Sequence, residues 1–106
     1  MHEHQLLQTI YAASSNTKGI SIGPGDDMGE VQIGNEKVLF AVDQLIVGRH
    51  VTDDTEPSLI GRKAVARCFS DIAAMCATPV GCLMTACVSK DASNDWCNEI
   101  FTGAKN

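Results

Sequence analysis

The chain has 106 residues, 44% of them hydrophobic, and a net charge of −5 from 13 acidic and 8 basic side chains. This length predicts one globular domain with a modest core, because a chain of this size buries roughly 65% of its unfolded surface. The acidic balance disfavours a nucleic-acid partner, and the lack of a membrane-length apolar run or a signal peptide predicts a cytoplasmic protein without membrane contact.

The first half of the chain predicts one helix followed by several short strands. The spacing of apolar residues predicts an amphipathic helix over residues 3–13. Four strand-like segments follow, at residues 20–22, 31–33, 38–42 and 45–51. Residues 34–37 have the composition of a hairpin connection. The run 38–42 is apolar throughout, which predicts a strand buried on both faces.

The second half predicts a long helix, a strand and a last helix. Apolar residues recur at three- and four-residue intervals over residues 57–80, which predicts a single helix. The apolar run 80–88 is the best candidate for a central strand. A last helix over residues 95–106, capped by Ser93 or Asn94, has no terminator, so we expect the sequence to be cut from a longer chain.

This order of elements predicts an α+β fold. We expect a mixed or antiparallel sheet with helices on one face. The other face of the sheet then needs a cover, for which a second copy of the chain is one candidate. The cysteines, at positions 68, 76, 82, 87 and 97, form neither a C-x-x-C pair nor zinc-ribbon spacing. We therefore interpret them as free thiols in a reducing compartment.

Carboxylates that could act as metal ligands occur at three points in the sequence. Asp26 and Asp27 lie in a glycine-flanked turn, Asp43 ends an apolar strand, and Asp71 lies near the end of the long helix. Each has a structural alternative: turn hydrogen bonds, simple exposure, or an ion pair of Asp71 with Arg67 worth roughly 0.3–0.5 kcal/mol. Oxygen ligands from several segments, completed by substrate phosphates, are typical of Mg²⁺ sites. The chain contains neither a P-loop nor a dinucleotide-binding fingerprint.

Four blocks of sequence resemble a known family. They are Gly25-Asp26-Asp27, Ala41–Leu45 with Gly48-Arg49-His50, Ile60–Ala64, and Ser70–Pro79. In this order and spacing they resemble the thiamine-monophosphate kinases. More broadly, they resemble the N-terminal domain of the aminoimidazole-ribonucleotide synthetase-like superfamily. The last block is the most specific of the four.

The resemblance implies a phosphotransferase that depends on Mg²⁺ and ATP. It implies that Asp27, Asp43 and Asp71 are magnesium ligands, with Asp26 nearby. Asp27 and Asp43 are also implied in binding the cofactors, and no side chain is implied as a catalytic acid or base. In this family the γ-phosphoryl group of ATP passes to thiamine monophosphate and gives thiamine diphosphate.

The resemblance further implies where the acceptor and a partner subunit bind. Gly48, Arg49 and His50 are implied to lie by the thiamine phosphate. The N-terminal domains of the family pair through their sheets into a homodimer, with the active site at the seam. A second copy would therefore cover the open face of the sheet.

Several positions depart from the family pattern, and the exact substrate stays open. The departures are Val42 for Thr or Ser, Val47 for Glu, the bulkier Arg49, and Cys76 for Gly. One alternative is a member of the superfamily that acts on another phosphorylated metabolite. Another is a non-catalytic dimerisation or nucleotide-binding module. We expect residues 1–106 to form a single Mg²⁺- and ATP-binding N-terminal domain, cut within its last helix and without the C-terminal domain.

Overall fold

The computed structural model describes residues 2–14, 17–22 and 28–106. Its elements are α1 (Glu3–Ser14), β1 (Ile20–Ile22), β2 (Gly29–Ile33), β3 (Glu36–Phe40), α2 (Pro57–Ala74) and α3 (Asn94–Lys105). The chain is therefore α+β, as predicted. It divides into two compact units, Met1–Ala41 with Asp71–Ala77, and Val42–Ser70 with Thr78–Asn106. Within the described residues, no helix is both long and apolar enough to cross a membrane.

The first unit contains an antiparallel sheet in the order β1-β2-β3. β2 and β3 pair from Gly29 opposite Phe40 to Ile33 opposite Glu36, which confirms the predicted hairpin. Its turn includes Gly34, whose φ of 60° lies in the left-handed region that glycine adopts without strain. A Cβ on Gly29 would stand 2.8 Å from the Phe40 ring, so glycine leaves room for this cross-strand contact.

The prediction that residues 38–42 form a strand buried on both faces is wrong. β3 ends at Phe40, which is 52% exposed, and Val42 is 95% exposed. β3 is an edge strand of its sheet, and Leu39 is the one residue of β3 that is partly buried. An uninterrupted apolar run predicts burial, but burial needs a second layer. No second layer among the described residues covers the side chains of this edge strand.

Two further strand predictions are also wrong. Residues 45–51 do not form a strand: Val47 and Val51 make a single isolated bridge around a tight turn, in which Gly48 has φ 86°. Residues 80–88 have no regular structure. A strand needs a neighbour for its N–H and C=O groups, and no described strand pairs with this segment. Leu83 is fully exposed there, so apolar composition without a partner strand does not produce a strand.

The long helix is shorter than predicted, because it ends at Ala74 rather than at residue 80. The Cys76 N–H donates to the Ala73 carbonyl and the Ala77 N–H donates to the Ile72 carbonyl, each at 3.1 Å. Cys76 has φ 53°, so these bonds form a Schellman C-cap with a left-handed residue. Glycine is the residue that such a position favours, and cysteine pays about 1–2 kcal/mol for adopting it.

We expect Cys76→Gly to stabilise the protein by about 1 kcal/mol, because glycine removes the steric penalty of the left-handed cap. Urea unfolding followed by circular dichroism measures the change. Cys82→Gly makes the same chemical change in an exposed irregular segment, where no such penalty is relieved. Equal stabilities of the two variants would contradict this explanation of the helix end.

In the second unit, α2 and α3 approach each other closely at two glycines. α3 begins where predicted, with the Ser93 hydroxyl accepting the Trp96 N–H at 3.1 Å. Gly61 is buried in the crossing, and a Cβ there would overlap the Ile100 carbonyl. A Cβ on Gly103 would likewise overlap a backbone carbonyl of α2. These glycines allow the two helix backbones to approach closely within the second unit.

Candidate functional site

The predicted site residues are distributed over both compact units. Asp43 and the turn 48–50 belong to the second unit, and Asp71 belongs to the first. Asp26 and Asp27 lie outside the described residues. The second unit therefore contains both a predicted metal ligand and the predicted acceptor-binding turn.

Asp43 is bound by an arginine from α2. Arg67 Nε donates to Asp43 Oδ2 at 3.2 Å, and Arg67 Nη2 donates to Oδ1 at 3.1 Å. The Gln44 N–H also donates to Oδ1, at 2.7 Å. The Arg67 hydrogen bonds, and next the Gln44 N–H, hold the pKa of the Asp43 carboxyl below its usual value. The carboxylate is thus ionised at neutral pH and already binds a cationic group through both oxygens.

Asp71 lies in the last turn of α2, where its charge is not compensated. Its carboxylate has neither an ion pair nor a hydrogen bond among the residues that the structure describes. The alternative of an ion pair with Arg67 is wrong, because that guanidinium binds Asp43. The last turn also contains no basic residue. Since the C-terminal end of a helix carries partial negative charge, a cation from outside the helix would stabilise this half-buried anion.

The predicted acceptor-binding residues Gly48, Arg49 and His50 form a tight turn. The Gly48 N–H donates to the Val51 carbonyl at 2.7 Å, and the Arg49 and His50 N–H groups donate to the Ile46 carbonyl at 3.1 and 2.8 Å. The Ile46 N–H donates to His50 Nδ1 at 2.8 Å. Because Nδ1 accepts, the proton of the neutral ring is on Nε2. His50 Nε2 and the exposed Arg49 guanidinium are therefore donors suited to an anion.

Lys63 connects this turn to α2. Its Nζ donates to the His50 carbonyl at 2.6 Å. Lys63 and Arg67 are four residues apart, so they lie on the same face of the helix. One face of α2 therefore holds the turn through Lys63 and the Asp43 carboxylate through Arg67. We did not predict either cation as a site residue, although the spacing of residues 63, 67 and 71 was a usable signal.

The donor chemistry of the two described aspartates fits Mg²⁺. Carboxylate oxygens are ligands that Mg²⁺ prefers. Asp43 already holds a cationic group, and Asp71 has none among the described residues to offset its charge. The described part of the chain brings no three His, Cys, Asp or Glu side chains together, and the five cysteines are free thiols. The fit therefore rests on each carboxylate separately.

Comparisons with known proteins show what this chain is similar to. The family described as AIR synthase related protein, N-terminal domain, matches residues 25–106. The chain is 35% identical over 79 residues to a thiamine-monophosphate kinase of Pyrococcus abyssi, covering 74% of this chain and 26% of that protein. It is 32% identical over 83 residues to the Escherichia coli protein of the same name, covering 77% and 25%. The chain spans about a quarter of the length of these relatives. No solved structure matches significantly.

Proposed function

Because the chain belongs to the family of AIR synthase related proteins through their N-terminal domain, we propose that it is the Mg²⁺- and ATP-binding part of a thiamine-monophosphate kinase. The observation that carries the proposal is the ionised carboxylate of Asp43, which binds a cationic group through both oxygens. The relatives are named thiamine-monophosphate kinases, which supports the proposed reaction, transfer of a phosphoryl group from ATP to thiamine monophosphate.

The proposed metal ligands are Asp27, Asp43 and Asp71, with Asp26 nearby. Acidic residues alone repel a polyphosphate, since two like unit charges at 4 Å interact by about 4 kcal/mol at an effective dielectric of 20. Mg²⁺ would neutralise the phosphate oxygens and the charge that develops on them. The role of Asp43 is to supply an ionised carboxylate, and the Arg67 hydrogen bonds that lower its pKa extend the ionised state to more acidic pH. The uncompensated charge of Asp71 supports its assignment to the same role.

The turn Gly48–His50 is the proposed site for the phosphate of thiamine monophosphate. Arg49 is exposed, and His50 Nε2 can donate because Nδ1 is occupied. Two donors on one tight turn suit a phosphate group. The chain then acts by positioning the acceptor and by charge stabilisation, without a covalent intermediate.

We also propose that the whole protein is a homodimer paired through the sheet. On the edge strand β3, Phe40 is 52% exposed and Val38 is 41% exposed. These exposed apolar side chains support a partner at this strand. Sedimentation velocity of the intact protein tests this assignment, and a monomer at all concentrations would contradict it.

Phosphoryl-transfer assays on the intact protein test the proposed reaction. We expect Mg²⁺-dependent formation of thiamine diphosphate from ATP and thiamine monophosphate. Faster transfer to another phosphorylated metabolite would keep the family chemistry and change the substrate. Binding of Mg²⁺-ATP without transfer to any acceptor would instead indicate a non-catalytic nucleotide-binding module.

We expect Lys63→Met to raise the KM for thiamine monophosphate about tenfold while leaving kcat nearly unchanged. The Lys63 ammonium donates to the His50 carbonyl, and its loss loosens the turn that binds the acceptor. Initial rates at varied thiamine monophosphate and saturating Mg²⁺-ATP measure both constants. Arg62→Met is the control, because Arg62 is an exposed cation next to Lys63 on the same helix. An unchanged KM, or the same rise in the control, would contradict the role of Lys63.

A further inference from the structure

The proposed function leaves one charged residue of the site without a role. Arg67 lies four residues before Asp71 on α2, yet its guanidinium binds Asp43, 24 positions away in the sequence. This pair is better formed than a typical surface ion pair, since two parallel hydrogen bonds fix its geometry. Both side chains are 31% exposed, so the contact is neither buried nor fully solvated.

The hydrogen bonds of Asp43 use three of the lone pairs through which its carboxylate could bind a metal ion. Oδ1 accepts from both Arg67 Nη2 and the Gln44 N–H, which together use its two lone pairs. Oδ2 accepts from Arg67 Nε and retains one lone pair. A dication at that remaining position would stand next to the guanidinium and be repelled by it.

We propose that Arg67 is a positioning residue that holds Asp43 in the metal-free protein and releases it to Mg²⁺. This inference rests on the proposed function, in which Asp43 is a magnesium ligand. Arg67 orients the carboxylate before metal arrives, through its two hydrogen bonds. It also competes with the metal, and its partial exposure gives the guanidinium access to solvent when it is displaced.

The competition predicts that removing the guanidinium tightens metal binding. We expect Arg67→Gln to bind Mg²⁺ about fivefold more tightly, which corresponds to the upper range for a partly exposed ion pair. We expect Arg67→Lys to remain closer to the unaltered protein, because it keeps the charge. Isothermal titration calorimetry of the intact protein with MgCl₂ alone measures these affinities. The rise in Tm on adding MgCl₂ gives a second readout, which should be larger for Arg67→Gln.

Two controls separate this competition from a general effect of charge. Arg62→Gln makes the same change in net charge on the same helix, and we expect little change in its Mg²⁺ affinity. In an Asp43→Asn background, Arg67→Gln should have no further effect, because the competition acts through Asp43. An unchanged or weaker affinity in Arg67→Gln overturns the inference. Equal tightening in Arg62→Gln or in the Asp43→Asn background overturns it as well.

The same titrations distinguish failure of the inference from failure of the proposed function. If Asp43→Asn binds Mg²⁺ as tightly as the unaltered protein, Asp43 is not a ligand and both fail. If Asp43→Asn weakens binding but Arg67→Gln does not tighten it, the metal site stands and the inference alone fails.

Discussion

Asp43→Asn and Asp71→Asn are each expected to weaken the binding of Mg²⁺-ATP by at least about 100-fold. Even residues that only support a metal ligand contribute about 10- to 100-fold to affinity, so loss of a ligand should exceed that range. The amide keeps the shape of the side chain but removes the negative charge that Mg²⁺ requires. Isothermal titration calorimetry with Mg²⁺-ATP measures the effect. Asp91→Asn, an exposed acid in the irregular segment before α3, is the control.

Stability without metal separates loss of a ligand from damage to the fold. Asp43→Asn removes the ion pair with Arg67, so it should slightly destabilise the metal-free protein. Asp71→Asn removes an uncompensated anion from the C-terminal turn of α2, so it should stabilise the metal-free protein by about 0.5 kcal/mol. A variant that is more stable and yet binds Mg²⁺-ATP poorly has lost a ligand. Binding like that of the unaltered protein in both variants would refute the metal assignment.

Local signals in the sequence predicted the elements whose causes are also local. The helix near the N-terminus, the 34–37 hairpin and α3 with its Ser93 cap depend on residues a few positions apart, and the structure confirms them. The strand expected at 80–88 fails because its cause is not local. Apolar composition reports a preference for burial but does not show which strand or layer provides the partner.

In the candidate site, too, features with local causes could be predicted and features with non-local causes could not. Asp43 and Asp71 could be selected from the sequence, since each carboxylate occurs next to apolar segments. The pairing of Asp43 with Arg67 could not be predicted, because helical spacing shows only the neighbours of Arg67 on its own helix. The end of α2 could have been predicted from the sequence. Cys76 stands where the family pattern has glycine, the residue favoured at the left-handed cap that ends the helix.

The largest expected loss of stability comes from the crossing of α2 and α3. Gly61→Ala and Gly103→Ala should each lower the free energy of unfolding by about 3 kcal/mol, because the added methyl group overlaps a backbone carbonyl of the other helix. A backbone carbonyl cannot rotate away as a side chain can, so the helices must move apart. Urea unfolding of the intact protein measures the loss. Gly81→Ala is the matched control, since a Cβ at Gly81 meets no atom within 4 Å.

This prediction has the opposite sign to the one that helix propensity gives. In an isolated helix, Gly→Ala is favourable by about 1 kcal/mol, so propensity alone predicts that Gly61→Ala stabilises the protein. A measured loss of stability therefore reports the contact between the two helices and not the intrinsic propensity of α2 to form a helix. The contact also matters for the site, because the helix that Gly61 places carries Lys63 and Arg67. If Gly61→Ala is stabilising, the two backbones do not cross closely, and the second unit does not fix these two cations.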